Sequence, residues 1–161
     1  MKFVDAFGII HEMESSMKPK KGEKMKVKLD KGALMPTRAH ETDAGLDLYA
    51  REAKRIEPRG SATFDTGVHI ELPHGFFGKI ESKSGLNVNY GIVSCGGVVD
   101  EGYSGSIVVK LYNLSNVAYN VLAGDKIAQL VINLYATPKL ELVEEICGGD
   151  RGSGGFGSTG R

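Results

Sequence analysis

The chain is 161 residues long, 41% hydrophobic and 25% charged, and its 20 Lys and Arg residues balance 20 Asp and Glu residues. This composition is typical of one globular domain and excludes a wholly disordered chain. Because positive charge is not in excess, the composition does not predict non-specific nucleic-acid binding.

The cysteines, the histidines and the N-terminal segment narrow the class of protein further. Two cysteines are too few for a disulfide framework and favour a reducing compartment. The four histidines lack the spacing of a zinc site, so no protein-ligated transition metal is predicted. The apolar stretch near the N-terminus is too short and too interrupted by acidic residues for a signal peptide or a membrane span. We therefore expect a cytoplasmic protein, or one of the nucleus or host cytosol if the source is eukaryotic or viral, without membrane contact.

Residues 1–24 differ from the rest of the chain and form a leader to which the sequence assigns no role. VDAFGIIHEMESSM (4–17) is compatible with a short helix, and MKPKKGEK (17–24) has the composition of a linker. Met25 is expected to begin the compact domain, over residues 25–147. Residues 148–161 would then form a C-terminal arm.

Alternation of apolar and polar residues dominates after residue 25. This pattern is typical of half-buried strands and predicts strands over 25–30, 45–50, 68–72, 107–113 and 139–145. The apolar run IAQLVINL (127–134) predicts a strand covered on both faces. Turn residues separate these strands at 57–60, 73–75, 102–105 and 123–125. No amphipathic helix is predicted, so we expect an all-β protein, a jelly-roll-like β-sandwich or barrel with a flexible Gly-rich C-terminal arm.

The arm ends in RGSGGFGSTGR (151–161), and half of residues 148–161 are glycine. Its glycines match G-x-G-x-x-G, but a Rossmann site needs a helix after the motif and the chain stops four residues after Gly157. Glycine N–H groups can still wrap an anionic oxygen as a nest. The other groups suited to a nucleotide are a guanidinium, an aromatic ring and two hydroxyls: Arg151, Phe156, Ser158 and Thr159. From these residues alone, the arm is either a disordered tail or a phosphate-binding loop.

Four further segments carry polar groups that suit a nucleotide. Asp47 points away from the leucines on either side of it, as on a solvated strand face. SKSGL (82–86) combines a cation, a hydroxyl and a turn glycine, which can hold phosphate. Gln129 lies among apolar residues, so its amide must find a partner in the backbone or in a ligand.

The segment GGVVDEGYSG (96–105) is more specific. Asp100 follows an apolar pair, and a carboxylate at a strand end can orient or deprotonate a water molecule. Tyr103, three residues later, can pack on a sugar or a base. The structural alternative is a β-hairpin with an Asx turn.

The five polar segments resemble, in their order along the chain, the five motifs of the trimeric dUTP pyrophosphatases (dUTPases): DAGLDLYA (43–50), SKSGL (82–86), GVVDEGYSG (97–105), GDKIAQL (124–130) and RGSGGFGSTG (151–160). The resemblance covers the chain from about Met25 to Gly160. It implies a jelly-roll homotrimer in which three chains build each active site and the arm closes over it. The implied reaction is Mg²⁺-dependent hydrolysis of dUTP to dUMP and pyrophosphate by water attack at the α-phosphorus. This reaction limits uracil incorporation into DNA and supplies dUMP for thymidylate synthesis.

The resemblance also implies roles for individual residues. Asp100 matches the catalytic carboxylate that activates water, and Tyr103 matches the ring that packs on deoxyribose and excludes a 2′-OH. Asp47 matches the acid linked through water to the Mg²⁺-triphosphate. The backbone of a hairpin at Ser94, Gly97 and Val98 would bind the uracil edge and exclude thymine's methyl group. The remaining substrate-binding positions are Lys83, Ser84, Gly85 and Gln129, with Arg151, Phe156, Gly157, Ser158 and Thr159 in the arm, where Phe156 would lie over the uracil.

This sequence departs from the family pattern at three places. Lys83 replaces the usual Arg, which keeps the charge and loses the bidentate fork. Ser104 stands where a basic residue is frequent. Ser94 and Cys95 make the uracil hairpin unusual, so its contacts to the base are expected from the backbone.

Two other functions compete with dUTP hydrolysis. A dCTP deaminase shares the fold but needs an acid or base at the pyrimidine C4, and it is expected to lack the tyrosine found here at 103. A non-catalytic nucleotide sensor or regulatory trimer would have lost Asp100 or the arm, and both are present. The prediction is therefore a homotrimeric dUTPase whose partner is dUTP, with neither nucleic acid nor membrane as a partner.

Overall fold

The computed structural model describes residues 2–4, 10–12, 24–95, 97–149 and 152–153. Within these ranges the chain forms short strands and one helix, which confirms the all-β class. The elements in chain order are β1 (Lys2–Val4), β2 (Ile10–Glu12), β3 (Lys26–Leu29), β4 (Gly45–Tyr49), β5 (Lys54–Ile56), β6 (Ser61–Asp65), β7 (Val68–Glu71), β8 (Phe76–Glu81), α1 (Ser84–Tyr90), β9 (Ile92–Ser94), β10 (Val98–Val99), β11 (Val108–Asn113), β12 (Tyr119–Val121) and β13 (Lys126–Leu134).

The largest sheet has four antiparallel strands in the order β10-β8-β13-β4. A second sheet has the order β6-β11-β9, and the pairs β12-β5 and β3-β7 complete the domain. In the main sheet, Leu130 pairs with Leu46 on one side and with Ile80 on the other. Directly paired residues point to the same face, so these three side chains form one apolar row.

This apolar row belongs to a single core that both larger sheets share. The second sheet contributes Phe64, Val109 and Leu111, all completely or almost completely buried. Burying a side chain of this size stabilises the fold by about 1.5–3 kcal/mol. The alternation along β11 confirms the strand that the sequence predicts over 107–113. Among the described residues, no helix has the length and apolar character needed to span a bilayer.

Most of the predicted strands and turns are confirmed. Backbone N–H···O hydrogen bonds between residues three apart close a turn at or near each of the predicted places, at 57–60, 73–76, 100–103 and 122–125. The third of these turns lies two residues earlier than the predicted 102–105. The apolar run at 127–134 forms most of β13, but that strand becomes half exposed toward its end, so it is not covered on both faces throughout.

Three predictions about local structure are wrong. Residues 139–145 form no strand and pair with no described strand, and Leu140 and Leu142 are 98% and 99% exposed. The leader contains the antiparallel pair β1–β2 rather than a helix over 4–17, in keeping with the aromatic and β-branched residues of these strands, Phe3, Val4 and Ile10. Helix α1 was not predicted because it buries no residue and so has no apolar stripe.

Candidate active site

Three of the predicted site residues lie together on the face of the main sheet that is opposite to the apolar row. Asp47 of β4 pairs with Gln129 of β13, which in turn pairs with Glu81 of β8. Lys83 follows β8 and reaches the same face. Together, Asp47, Lys83 and Gln129 line one pocket of about 320 Å³.

Asp47 is the electrostatic centre of this pocket. It is only 4% exposed, so the interpretation as a solvated strand face is wrong. One carboxylate oxygen, Oδ1, accepts a hydrogen bond from Lys83 Nζ, and Oδ2 lies 2.7 Å from Lys126 Nζ. Burial by itself raises the pKa of Asp47, but the ammonium groups of Lys126 and Lys83 outweigh burial and keep that pKa below its ordinary value. Asp47 in turn raises the pKa of Lys126.

Two ammonium groups therefore contact the buried Asp47 carboxylate, while the pocket lining carries Asp43 as a second acid beside Asp47 and Lys83. Sequence reasoning found Lys83 but missed Lys126. Lys126 has a local signal, because it begins β13 within GDKIAQL, but its contact with Asp47 depends on strand pairing. Ammonium groups beside a concave site suit an anionic ligand.

Gln129 is held by the backbone and by a close approach to a glycine. Its Nε2 donates a hydrogen bond to the carbonyl oxygen of Ser82 at 3.0 Å, so this half of the amide has a backbone partner. A Cβ on Gly45 would overlap the Gln129 amide oxygen, so only glycine at 45 leaves room for this side chain. Sequence analysis assigned Gly45 no role.

Ser84 and Gly85 begin α1 directly after Lys83, and both are exposed. Lys83 occupies the N-cap position with an extended backbone, and no side chain caps the helix. The first backbone N–H groups of a helix have no partner within the helix. These N–H groups belong to the residues that directly follow Lys83.

The segment from Ser94 to Val98 connects two sheets. Strand β9 pairs with β11, whereas β10 pairs with β8, so within the described residues the expected hairpin is instead a crossover. The Ser94 N–H donates to the Ser82 hydroxyl at 2.9 Å, and the Gly97 carbonyl accepts from the Ile80 N–H at 3.2 Å. Gly97 and Val98 are exposed.

Asp100 follows β10 at the start of a tight turn. The Tyr103 N–H donates to the Asp100 backbone carbonyl at 3.1 Å, and Gly102 has a φ of 84°, a left-handed conformation that favours glycine. The alternative of a β-hairpin with an Asx turn is wrong, because the bond is to the main chain and β10 and β11 pair with different strands. Asp100 is exposed, and its carboxylate has no hydrogen-bonding partner among the described residues.

Tyr103 lies along the backbone that follows it. Its hydroxyl donates to the Ser106 carbonyl at 3.0 Å, and the ring covers Gly105 so closely that a Cβ there would overlap it. About half of the residue is exposed. The ring is thus fixed and still available to a ligand.

Glu101, between Asp100 and the turn glycine, is a residue that sequence analysis missed. Its carboxylate accepts three hydrogen bonds, from His74 Nδ1 at 2.8 Å, the Gly75 N–H at 2.8 Å and the Tyr135 hydroxyl at 2.7 Å. These bonds, with His74 the largest contributor, lower the pKa of Glu101 to about 2. No sequence signal identified this carboxylate, since its partners lie far away along the chain.

The chain does not bring Asp100 and Asp47 together. Their strands, β10 and β4, are the two edges of the main sheet and lie three strand spacings apart, on the order of 14 Å. Asp100 lines a different pocket with Phe77, Val98 and Tyr135 among others. The predicted arm residues lie outside the described residues: Arg151, Phe156, Gly157, Ser158 and Thr159.

The described residues contain no cluster of three or more His, Cys, Asp or Glu side chains that could hold a metal ion directly. Both oxygens of Asp47 already contact lysines. A carboxylate has further lone pairs, so Asp47 can also accept a hydrogen bond from the water shell of a hydrated cation. The pocket therefore fits Mg²⁺ carried by phosphates and not Mg²⁺ held by protein ligands alone.

Known proteins of one family are similar to this chain in sequence. The chain matches the sequence model of dUTPase over residues 30–160. It is 41% identical over 133 residues to the deoxyuridine 5'-triphosphate nucleotidohydrolase of Solanum lycopersicum, covering 83% of this chain and 79% of that one. It is 42% identical over 135 residues to the enzyme of the same name from Clostridium acetobutylicum, covering 83% and 93%.

Solved structures of dUTPases are similar to the whole domain. The dUTPase of Staphylococcus bacteriophage 80alpha with dUPNHPP has a TM-score of 0.81 and 32% identity, covering 86% of this chain and 99% of that one. A point mutant of the dUTPase from phage phi11 of S. aureus, described with a structural Mg(II) ion, has a TM-score of 0.72 and 31% identity, covering 76% and 98%. The predicted jelly-roll-like fold is confirmed. The chain belongs to the dUTPase family.

Proposed function

We propose that this protein is a dUTP diphosphatase that hydrolyses dUTP to dUMP and pyrophosphate. Family membership supports the reaction, and one observation carries the assignment of its catalytic group. Asp100 is an exposed carboxylate on a fixed turn with no partner among the described residues. The neighbouring Glu101 is fully engaged with protein donors.

In this proposal Asp100 orients a water molecule and accepts its proton as the water attacks the α-phosphorus. A positioned base of this kind contributes roughly 10²–10⁴-fold to a rate. Tyr103 would present the open face of its ring to the deoxyribose. Because its hydroxyl and ring are held by the backbone of Gly105 and Ser106, the ring cannot easily move aside to make room for a 2′-OH.

The pocket around Asp47 would bind the triphosphate. Lys83 and Lys126 supply positive charge, and the exposed Ser84 and Gly85 supply a hydroxyl and N–H groups. Lys83 lacks the fork of an arginine but is oriented by its bond to Asp47. Gln129 has its amide nitrogen bound to Ser82, so we assign its Oε1 to the hydration shell of the phosphates.

Mg²⁺ would enter with the triphosphate, and its water shell would reach Asp47. Bound Mg²⁺ would neutralise phosphate charge and orient the leaving pyrophosphate. The protein's own contribution in this region is the charge and alignment given by Asp47, Lys83 and Lys126.

The uracil edge would be recognised by the backbone between Ser94 and Val98. Uracil offers one N–H donor flanked by two carbonyl acceptors, which complement peptide groups. The segment is held at both ends, by Ser82 at Ser94 and by Ile80 at Gly97. A backbone held in this way leaves little room for the methyl group of thymine.

We further propose a homotrimer in which each active site draws on several chains. The distance between the edge strands supports this proposal, because Asp100 of one chain must come from a neighbour to face the phosphates bound near Asp47. Exposed apolar side chains after β13 also suit contact with another copy: Leu140, Leu142 and Ile146. The arm, residues 148–161, would close over the nucleotide through Arg151, Phe156, Gly157, Ser158 and Thr159.

The test is pyrophosphate release with Mg²⁺ from dUTP, dCTP, dTTP and UTP measured side by side. We expect release from dUTP and far less from the other three. Absence of release from dUTP would contradict the proposal. Formation of a uracil nucleotide from dCTP, followed by chromatography, would instead support a deaminase.

A further inference from the structure

His69 of β7 bridges two acceptors on different parts of the fold. Its Nδ1 lies 2.8 Å from the backbone carbonyl oxygen of Ser104, and its Nε2 lies 3.1 Å from Oδ1 of Asp30. Ser104 follows Tyr103 directly, and Asp30 follows β3, the strand paired with β7. The imidazole therefore ties the end of the Tyr103 turn to the β3–β7 pair.

The chemistry of the two partners determines the protonation state of His69. A carbonyl oxygen and an ionised carboxylate can only accept hydrogen bonds, so both ring nitrogens must donate. A neutral imidazole carries one N–H, and the imidazolium carries two. The complete bridge therefore exists only when His69 is protonated.

The charges around the ring favour that state. The hydrogen bond to Ser104 contributes most to raising the pKa of His69, followed by the bond to Asp30, while Lys28 directly across on β3 opposes it. Arg51 lies 3.7 Å from Asp30 and 2.9 Å from Asp65, so both acids also form an ion pair with Arg51. The ionisable groups near His69 are Lys26, Lys28, Asp30, Arg51, Asp65, Glu71 and, beside Ser104, Tyr103.

A second anchor holds the other end of the same loop. The Ser106 hydroxyl bonds to Oδ1 of Asp65, whose Oδ2 is bound by Arg51. The Ser106 carbonyl accepts the hydroxyl of Tyr103. The backbone beneath the Tyr103 ring is thus fixed at Ser104 by His69 and at Ser106 by Asp65.

We infer that His69 is a positioning residue that, as an imidazolium, holds residues 104–106 beneath Tyr103 and so determines how strictly the site rejects ribose. The inference rests on the proposed function, in which Tyr103 packs against the sugar. The bridge is complete below the pKa of His69 and loses one hydrogen bond as the pH rises through it. Preference for dUTP over UTP is therefore greatest at the lower pH and falls above that pKa.

The kinetic experiment measures kcat/KM for dUTP and for UTP from about pH 6 to about pH 9, the range in which a raised histidine titrates. In His69→Gln, whose single amide nitrogen cannot reach both acceptors at once, the preference falls roughly tenfold at the lower pH and no longer changes with pH. Asp30→Asn keeps an acceptor but removes the charge, so the transition moves to lower pH. Glu71→Gln, which removes a charge on the same strand without touching the ring, leaves the transition unchanged.

An NMR titration of the His69 ring in the unaltered protein tests the bridge without any variant. We expect both nitrogens to be protonated at about pH 6.5, with a pKa above that of a free histidine. A ring that is neutral there, or a His69→Gln protein with unaltered sugar preference at every pH, would overturn the inference. If the unaltered protein fails to cleave dUTP, the proposed function is wrong, while the titration still decides whether the bridge exists.

Discussion

Three carboxylates near the candidate site have different environments and therefore suit different tasks. Asp47 is buried between two ammonium groups, and Glu101 accepts three hydrogen bonds. Asp100 is exposed and has no partner among the described residues. A carboxylate saturated by protein donors can shape a site, whereas an unpaired one is free to take a proton from water.

Asp100→Asn tests the assignment of the base. The amide keeps the size of the side chain but cannot accept a proton, so we expect turnover of dUTP to fall at least about 100-fold. Binding of a non-hydrolysable dUTP analogue and the thermal unfolding midpoint should stay close to those of the unaltered protein. Near-normal turnover in this variant would show that another group activates the water.

Gly45→Ala tests the packing that holds Gln129. The added methyl group overlaps the amide, so the side chain must leave its position and its bond to Ser82. We expect a loss of about 1–3 kcal/mol in the free energy of unfolding and a higher KM for dUTP. In a Gln129→Ala background the same glycine change should cost less, because the amide oxygen and its carbon, the two nearest atoms, are gone while the Cβ at 3.0 Å remains. An equal cost in both backgrounds would exclude this explanation.

At the scale of elements, Glu101 joins three pieces of chain that are distant in sequence. Its donors come from the turn before β8 and from Tyr135 after β13, while the carboxylate itself belongs to the turn after β10. Tyr135 also packs edge-on against Phe77, with ring centroids 6.3 Å apart. The position of the Asp100 turn is therefore coupled to the point where the chain leaves the domain toward the arm.

The low pKa of Glu101 predicts how this coupling depends on pH. Because folding lowers the pKa from 4.5 to about 2, the stabilisation is fully present above about pH 4.5 and is lost as the pH falls toward 2. We expect Glu101→Gln to lower the thermal unfolding midpoint at neutral pH and to differ less from the unaltered protein as the pH approaches about 2. Glu141→Gln, which removes a charge from an exposed segment, serves as the control. A midpoint difference that stays constant with pH would refute the role of the ionised carboxylate.

At the scale of the whole molecule, the pocket around Asp47 and the Asp100 turn lie at opposite edges of one sheet. Under the proposed function, a single chain would present two partial sites. Association of several chains would complete both partial sites, and we propose that the arm covers the completed active site. The exposed leucines after β13 would be covered by the proposed contact with other copies.

Deletion of residues 148–161 tests the arm. Because these residues follow all the strands of the domain, we expect a folded protein with the same oligomeric state by sedimentation. Hydrolysis of dUTP should be severely reduced, since phosphate and base contacts are lost. Removal of residues 1–24, outside the family match, is the matched control and should leave hydrolysis intact. Full activity of the C-terminally truncated protein would refute the proposed closure.

Local patterns were enough to predict the chemistry and much of the architecture. Strand alternation predicted β3, β4, β7 and β11, the apolar run predicted β13, and the ordered polar segments predicted the family. The failures have a common cause. Residues 139–145 have a strand pattern, but a strand also needs a partner strand, and they pair with no described one. Helix α1 has no buried face and therefore leaves no periodic signal in the sequence.

By itself, then, the sequence determined the family and the residue types proposed to carry the reaction, because motif residues have short spacings that are visible along the chain. Only the tertiary structure decided that Asp47 is buried between Lys83 and Lys126, that Glu101 links distant turns and that His69 supports the Tyr103 loop. Each of these contacts joins residues that are far apart in sequence. Such contacts depend on strand register and loop packing, which arise only when the whole core forms.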